Sequence, residues 1–201
     1  REWIFAEGLF LMDSEYKLGA SNRLFAYGDG LFESVRIING NALFLDDHLE
    51  RLRQGMRVCG FQNALLESSR LNSIIAELIQ KNELQGGKLK IQVYRKSGGN
   101  YKPETDDAEF ILSTQVFDQH EFTWNSKGLH CGLYEAIRKP INLLSGIKSN
   151  SALLYVLAAR EAGIKGWDEI LLLNENKRLC EGSSSNVFLV DENGSIQTPA
   201  L

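Results

Sequence analysis

What this sequence has little of narrows its function first. Its three cysteines, Cys59, Cys131 and Cys180, are odd in number and far apart, and no CxxC occurs. That argues against a disulfide framework or a zinc site and points to a reducing cytosol, so a cytoplasmic location is expected. Histidine is equally sparse, with three residues, and no GxSxG is present, so no hydrolytic triad can be assembled. There is no block of Lys or Arg, and 22 basic against 26 acidic residues leave a net charge of −4. A nucleic-acid partner is therefore not expected. No apolar run reaches the length of a membrane span, and the opening REWIFAEG lacks a signal-peptide pattern, so no membrane partner is expected. Neither a GxGxxG nor a Walker loop appears, and the acidic residues show no metal-loop spacing, so no metal is expected. Internal repeats and low-complexity segments are also missing.

What remains is ordinary globular material: 201 residues, 43% hydrophobic and 24% charged. Such a chain can bury a sizeable core as one large domain or two small ones. Trp3 to Phe5 and Leu9 to Met12 flank Glu7-Gly8 as a first hairpin. Leu31 to Ile38, the Asn39-Gly40 turn and Ala42 to Leu45 form a second. Asp46 offers an N-cap to a helix through HLERLRQGMRVC, with Gly60 as its end and Leu49, Leu52, Met56 and Cys59 as its buried stripe. A further helix spans about Leu65 to Lys81. Leu89, Ile91 and Val93 alternate with Lys88, Lys90 and Gln92, giving a strand with one solvated face. Ala108 to Thr114 follows as a strand after the loop Ser97-Gly98-Gly99.

The composition loosens between Asp118 and Lys127, which reads as a linker. Expected beyond it are a strand over Leu129 to Ala136 and a helix over Asn150 to Ala162 ended by Gly163. Strands over Ile170 to Leu173, Val187 to Val190 and Ser195 to Thr198 complete the pattern. Helices and strands come in blocks, which is α+β organisation. The expected division is residues 1–118, a linker over 119–127, and a second domain over 128–201.

Four features could carry chemistry, each with a plainer alternative. Lys148, after Ile141, Leu143 and Leu144, could lose its charge in an apolar setting and become a nucleophile that forms an imine; otherwise it is a solvated loop lysine. Glu181-Gly182-Ser183-Ser184-Ser185-Asn186 offers hydroxyls and N–H groups suited to a phosphate, and a carboxylate suited to a cationic ring nitrogen; otherwise it is a polar turn. Arg51 lies near its helix's apolar stripe and would need an anion if turned inward, or would reach solvent. Nearby His48 reads as a structural, hydrogen-bonded histidine. Tyr27-Gly28-Asp29-Gly30-Leu31-Phe32-Glu33 places two glycines before a strand, where the backbone comes close to something or merely turns.

Three segments together, YGDGLFESVRIINGNALFLDDHLERL, IKSNSALLYVLAAREAG and EGSSSNVFLVDENGSIQTPAL, resemble the class IV aminotransferases. These are pyridoxal-phosphate enzymes of fold type IV, among them branched-chain and D-amino acid aminotransferases and aminodeoxychorismate lyases. The resemblance implies a smaller N-terminal domain and a barrel-like C-terminal domain, with pyridoxal 5'-phosphate as cofactor. It implies that Lys148 carries the cofactor and moves the α-proton, that Glu181 meets the ring nitrogen, and that Arg51 meets the phosphate. Ser184, Ser185 and Asn186 would border the cofactor, while Phe32 and Arg95 would line the substrate pocket. The implied reaction is amino-group transfer between an amino acid and a 2-keto acid. The alternatives are a lyase releasing pyruvate and p-aminobenzoate from 4-amino-4-deoxychorismate, and a non-catalytic protein retaining the fold. A homodimer is implied as well. Relatives continue past the TPAL segment into a glycine-containing phosphate loop, so the second domain is expected to be incomplete in this chain.

Overall fold

The computed structural model describes residues 2–62, 68–118 and 121–199. The expected helix start at Leu65, the first two residues of the expected linker and the closing Ala200-Leu201 lie outside the described residues. Contacts divide the chain into two units: Arg1–Thr123 with Lys148–Ser151, and Trp124–Ile147 with Ala152–Leu201.

The first unit is built on a six-stranded antiparallel sheet. β1 (Trp3–Ala6) and β2 (Leu9–Met12) pair across Glu7 and Gly8, both at positive φ. A short helix, α1 (Arg23–Tyr27), precedes β3 (Gly30–Ile38); the sequence pattern did not signal it, because five residues carry no period. Asn22 caps α1 by accepting from the backbone N–H groups of Leu24 and Phe25, and Gly28 ends it in the left-handed region. β4 (Asn41–Ala42) is only two residues long, because Phe44 adopts φ 52° and turns the chain into α2 (Leu45–Cys59). Asp46 therefore sits inside the first turn of α2 instead of capping it, where its charge favours the helix dipole. α3 (Ser68–Lys81), β5 (Gly86–Arg95) and β6 (Ala108–Val116) complete the unit, in the order β2-β1-β6-β5-β3-β4.

Alternation along β3 assigns the two faces of the sheet. Leu31, Glu33, Val35 and Ile37 are buried, and Glu33 bonds to side chains of α2, so this face carries the helices. On the other face Ile4, Ala6, Tyr94 and Ile111 form a small core covered by Leu11, Tyr16 and Leu24. Phe32, Ser34, Arg36, Lys88, Lys90 and Gln92 continue that face and are half-buried, so the expected solvated lysines are only partly in water.

The second unit contains a strand–helix–strand crossover that was not apparent in the sequence. β7 (Cys131–Lys139) runs parallel to β8 (Glu169–Asn174), with α4 (Leu153–Lys165) between them in the chain. β9 (Leu179–Gly182) returns antiparallel to β8, so the Glu181 segment expected as a turn begins as a strand. α4 runs through Gly163 and stops at Gly166, whose φ of 68° makes the left-handed cap. Tyr134, Ala158, Ala162, Ile170 and Leu172 form the core, flanked by Leu154, Tyr155 and Trp167. A small ribbon of β10 (Leu189–Val190) and β11 (Ile196–Gln197) follows.

Candidate active site

In the first unit, backbone bonds fix Lys148 beside β3. Phe32 N–H donates to the Lys148 carbonyl at 2.9 Å, and Asn150 N–H donates to the Gly30 carbonyl at 2.9 Å. These bonds present the Lys148 ammonium over the Phe32 ring, 4.6 Å from its centroid. The expected apolar enclosure is not what surrounds it: Lys148 is exposed, and its ammonium faces an aromatic ring. Phe32 is shared, because Lys90 Nζ lies 5.3 Å from the same centroid. Lys90 and Lys88 make no ion pair with a carboxylate among the described residues. Burial and the charge of Lys88 both push the Lys90 ammonium below its ordinary value. These two lysines were read in the sequence only as the solvated side of a strand.

Arg51 projects from α2 onto Glu33. Its Nε donates to Oε1 and its Nη2 to Oε2, each at 2.6 Å, while His48 Nδ1 lies 2.7 Å from Oε2. The hydrogen bond to Glu33 raises the guanidinium above its ordinary value against an opposing effect of burial, so Arg51 stays charged. Nη1 has no partner among the described residues and is the edge open to an anion. Sequence alone suggested that an inward Arg51 needs an anion; the anion it finds is the fully buried Glu33.

Arg95, expected on the substrate pocket, is buried with every nitrogen taken. Its Nε donates to Asp29, its Nη1 to Asp106 and its Nη2 to the Cys59 carbonyl. Its guanidinium also stacks over Phe61. Asp29 receives Arg23 as well, whose Nη1 reaches the Gly98 and Asn100 carbonyls. The YGDG motif thus anchors a buried ionic network that holds the 98–100 loop.

The second unit holds Glu181 and the serines. Lys139 Nζ and the Tyr155 hydroxyl both donate to Oε1 of Glu181, the latter at 2.8 Å. Oε2 is left without a partner among the described residues. Ser184 and Ser185 turn inward onto Glu169: their hydroxyls donate to Oε2 at 3.1 and 2.7 Å, and that of Ser183 donates to Oε1 at 2.6 Å. Burial disfavours the Glu169 charge. The hydroxyls of Ser183 and Ser185 and the N–H groups of Ile170 and Ser183 outweigh it and hold the carboxyl down to about 2. Those hydroxyls serve an internal carboxylate, so a phosphate would meet the backbone of this turn. Asn186 lies exposed at its end. Nothing in the sequence pattern marked Glu169, since its partners lie 14 to 16 residues away.

Pyridoxal phosphate presents an aldehyde, an anionic phosphate and a ring nitrogen able to hold a proton. The first unit offers groups that fit the aldehyde and the phosphate, an amine at Lys148 and a charged guanidinium edge at Arg51. The second unit offers one that fits the ring nitrogen, a carboxylate with one oxygen unpartnered among the described residues at Glu181.

A family model described as amino-transferase class IV matches residues 30–201. The D-alanine aminotransferase of Staphylococcus aureus (strain N315) is 28% identical over 200 residues, covering 95% of this chain and 67% of its own. The branched-chain aminotransferase of the thermophilic archaeon Thermoproteus uzoniensis, solved with norvaline, superposes with TM-score 0.81 at 22% identity, covering 98% and 68%. A Legionella pneumophila structure described as a 4-amino-4-deoxychorismate lyase superposes with TM-score 0.81 at 23% identity, covering 93% and 67%. The chain spans about two thirds of the length of its curated relatives.

Proposed function

The chain belongs to the class IV aminotransferase family, and from that premise we propose that it transfers an amino group between an amino acid and a 2-keto acid with pyridoxal phosphate held on Lys148. The observation that carries this is the delivery of Lys148 over Phe32 by backbone bonds to the edge of β3. The cofactor, when bound, supplies an electron sink for the pair released at the substrate Cα.

The chain's own residues do the rest. Lys148 Nζ would hold the cofactor and, when freed, would act as the base that moves the proton from the substrate Cα. Glu181 Oε2 would accept from the ring N–H and favour a protonated nitrogen there. Glu33 fixes the guanidinium plane of Arg51, whose Nη1 would meet the phosphate. The turn at Ser184, Ser185 and Asn186, whose two serines are tied to Glu169, would border the cofactor through its backbone. Lys90, beside Phe32, takes the place assigned from resemblance to Arg95 and meets a substrate carboxylate.

Borohydride is the test. Reduction should attach a pyridoxyl group to Lys148 and bleach the visible absorbance, and Lys148→Ala should abolish both. Protein that stays colourless with added cofactor overturns the reading.

The lyase reading is supported by the loop Arg95-x-Ser97-Gly98-Gly99 followed by Tyr101, which resembles the corresponding loop of the aminodeoxychorismate lyases. It differs only in the fate of the carbanion, and formation of pyruvate and p-aminobenzoate from 4-amino-4-deoxychorismate would establish it. We infer a cytoplasmic homodimer, checked by light scattering of the purified protein; a monomer loaded with cofactor would contradict that.

A further inference from the structure

Glu181 is gripped on one oxygen only, by donors from two other elements. Lys139 ends β7 and Tyr155 rises from the first turns of α4, while Glu181 lies in β9. Neither donor is placed by regular alternation. The β7–β8 register slips between Tyr134 and Lys139, and the β8–β9 register slips between Leu172 and Leu173, next to the Leu172–Glu181 pair. Register breaks of this kind re-aim side chains, and here they set Lys139 and Glu181 against each other. Tyr155 packs its ring on the core of Tyr134, Ala158 and Leu172, which leaves its hydroxyl aimed at Oε1.

Both donors keep their protons across the ordinary pH range. Burial and the bond to Glu181 raise the Tyr155 phenol. Burial opposes the charge of Lys139, but the bond and charge of Glu181 raise it overall. A carboxylate oxygen that receives an ammonium and a phenol is saturated and does not rotate freely. Its geminal partner, Oε2, accepts from no donor among the described residues.

We propose that Lys139 and Tyr155 are positioning residues that hold Glu181 as a carboxylate, with Oε2 turned to the protonated ring nitrogen of the cofactor. The inference rests on the reading of Glu181 given above. In chemical terms, the ring proton can sit on nitrogen, facing a carboxylate, or on Oε2, facing a neutral pyridine. An ammonium and a phenol on Oε1 stabilise the first arrangement, because they favour the charged carboxylate. Removing either donor moves the proton towards oxygen and weakens the electron sink.

The test uses the protein loaded with ring-15N pyridoxal phosphate, as parent, Tyr155→Phe, Lys139→Met and Lys139→Arg. The parent should show the ring nitrogen in the pyridinium range at neutral pH. Tyr155→Phe and Lys139→Met should move it towards the neutral-pyridine range, and Lys139→Arg should restore it. Turnover should fall about tenfold in the first two, with KM for the amino acid little changed. Tyr155→Phe removes only a hydroxyl and keeps the packed ring, so it tests the inference even if Lys139→Met does not fold. A pyridinium signal unchanged in Tyr155→Phe and in any folded Lys139→Met overturns the inference, provided borohydride still labels Lys148 in the parent. A parent that borohydride does not label overturns the cofactor reading itself, and this inference with it.

Discussion

Glu169 shows how a single residue can set a pH limit. Its folded carboxyl is held at about 2, below the ordinary carboxylate value. A depressed acid stabilises the fold fully above its unfolded pKa and loses that contribution as pH falls towards the folded value. A shift of this size corresponds to about 3 kcal/mol. The melting temperature should therefore drop between roughly pH 4.5 and pH 2. Glu169→Gln should melt lower at pH 7 and vary less over that window, as followed by circular dichroism. Lys90→Met addresses the substrate. Losing a half-buried ammonium should raise KM for a carboxylate-bearing amino acid about tenfold while leaving the cofactor absorbance intact. An unchanged KM would remove Lys90 from the pocket.

At the scale of elements, two glycines differ sharply in what surrounds them. A Cβ on Gly132 in β7 would run into the Trp167 ring, whereas a Cβ on Gly146 would meet nothing within 4 Å. Gly132→Ala should cost about 2 kcal/mol through overpacking, and Gly146→Ala should stay within about 0.5 kcal/mol, both by urea unfolding. Equal effects would contradict this packing. The same elements show what the sequence could reveal. The β1–β2 hairpin, the β3 strand and the buried Leu49, Leu52 and Met56 of α2 rest on local patterns, so they were legible, whereas Cys59, expected in the same stripe, is only half-buried at the helix end. The start of α2 was displaced because the left-handed Phe44, not Asp46, turns the chain. The parallel β7–β8 pair was hidden because strand partnership across a helical crossover leaves no local signature. β9 is only four residues long, and it becomes a strand through pairing with β8.

Across the molecule, the residues proposed to meet the cofactor belong to both compact units. Lys148, Phe32 and Arg51 belong to the first, and Glu181, Ser184, Ser185 and Asn186 to the second. Family membership was legible through joint resemblance, since three separated segments match one family in order. Side-chain partnership was not: Glu33 on Arg51, Glu169 on the serines and Lys139 on Glu181 are contacts between residues 14 to 42 positions apart. Arg95 illustrates the same limit, because burial in a network of Asp29 and Asp106 sets its partners. The central claim is that Lys148 carries the cofactor. Borohydride reduction of the pyridoxal-phosphate-loaded protein, followed by peptide mass analysis, tests it most directly. The account predicts one pyridoxyl group on the peptide containing Lys148 and none in Lys148→Ala; a label on another lysine, or an unlabelled Lys148 in the loaded protein, would contradict it.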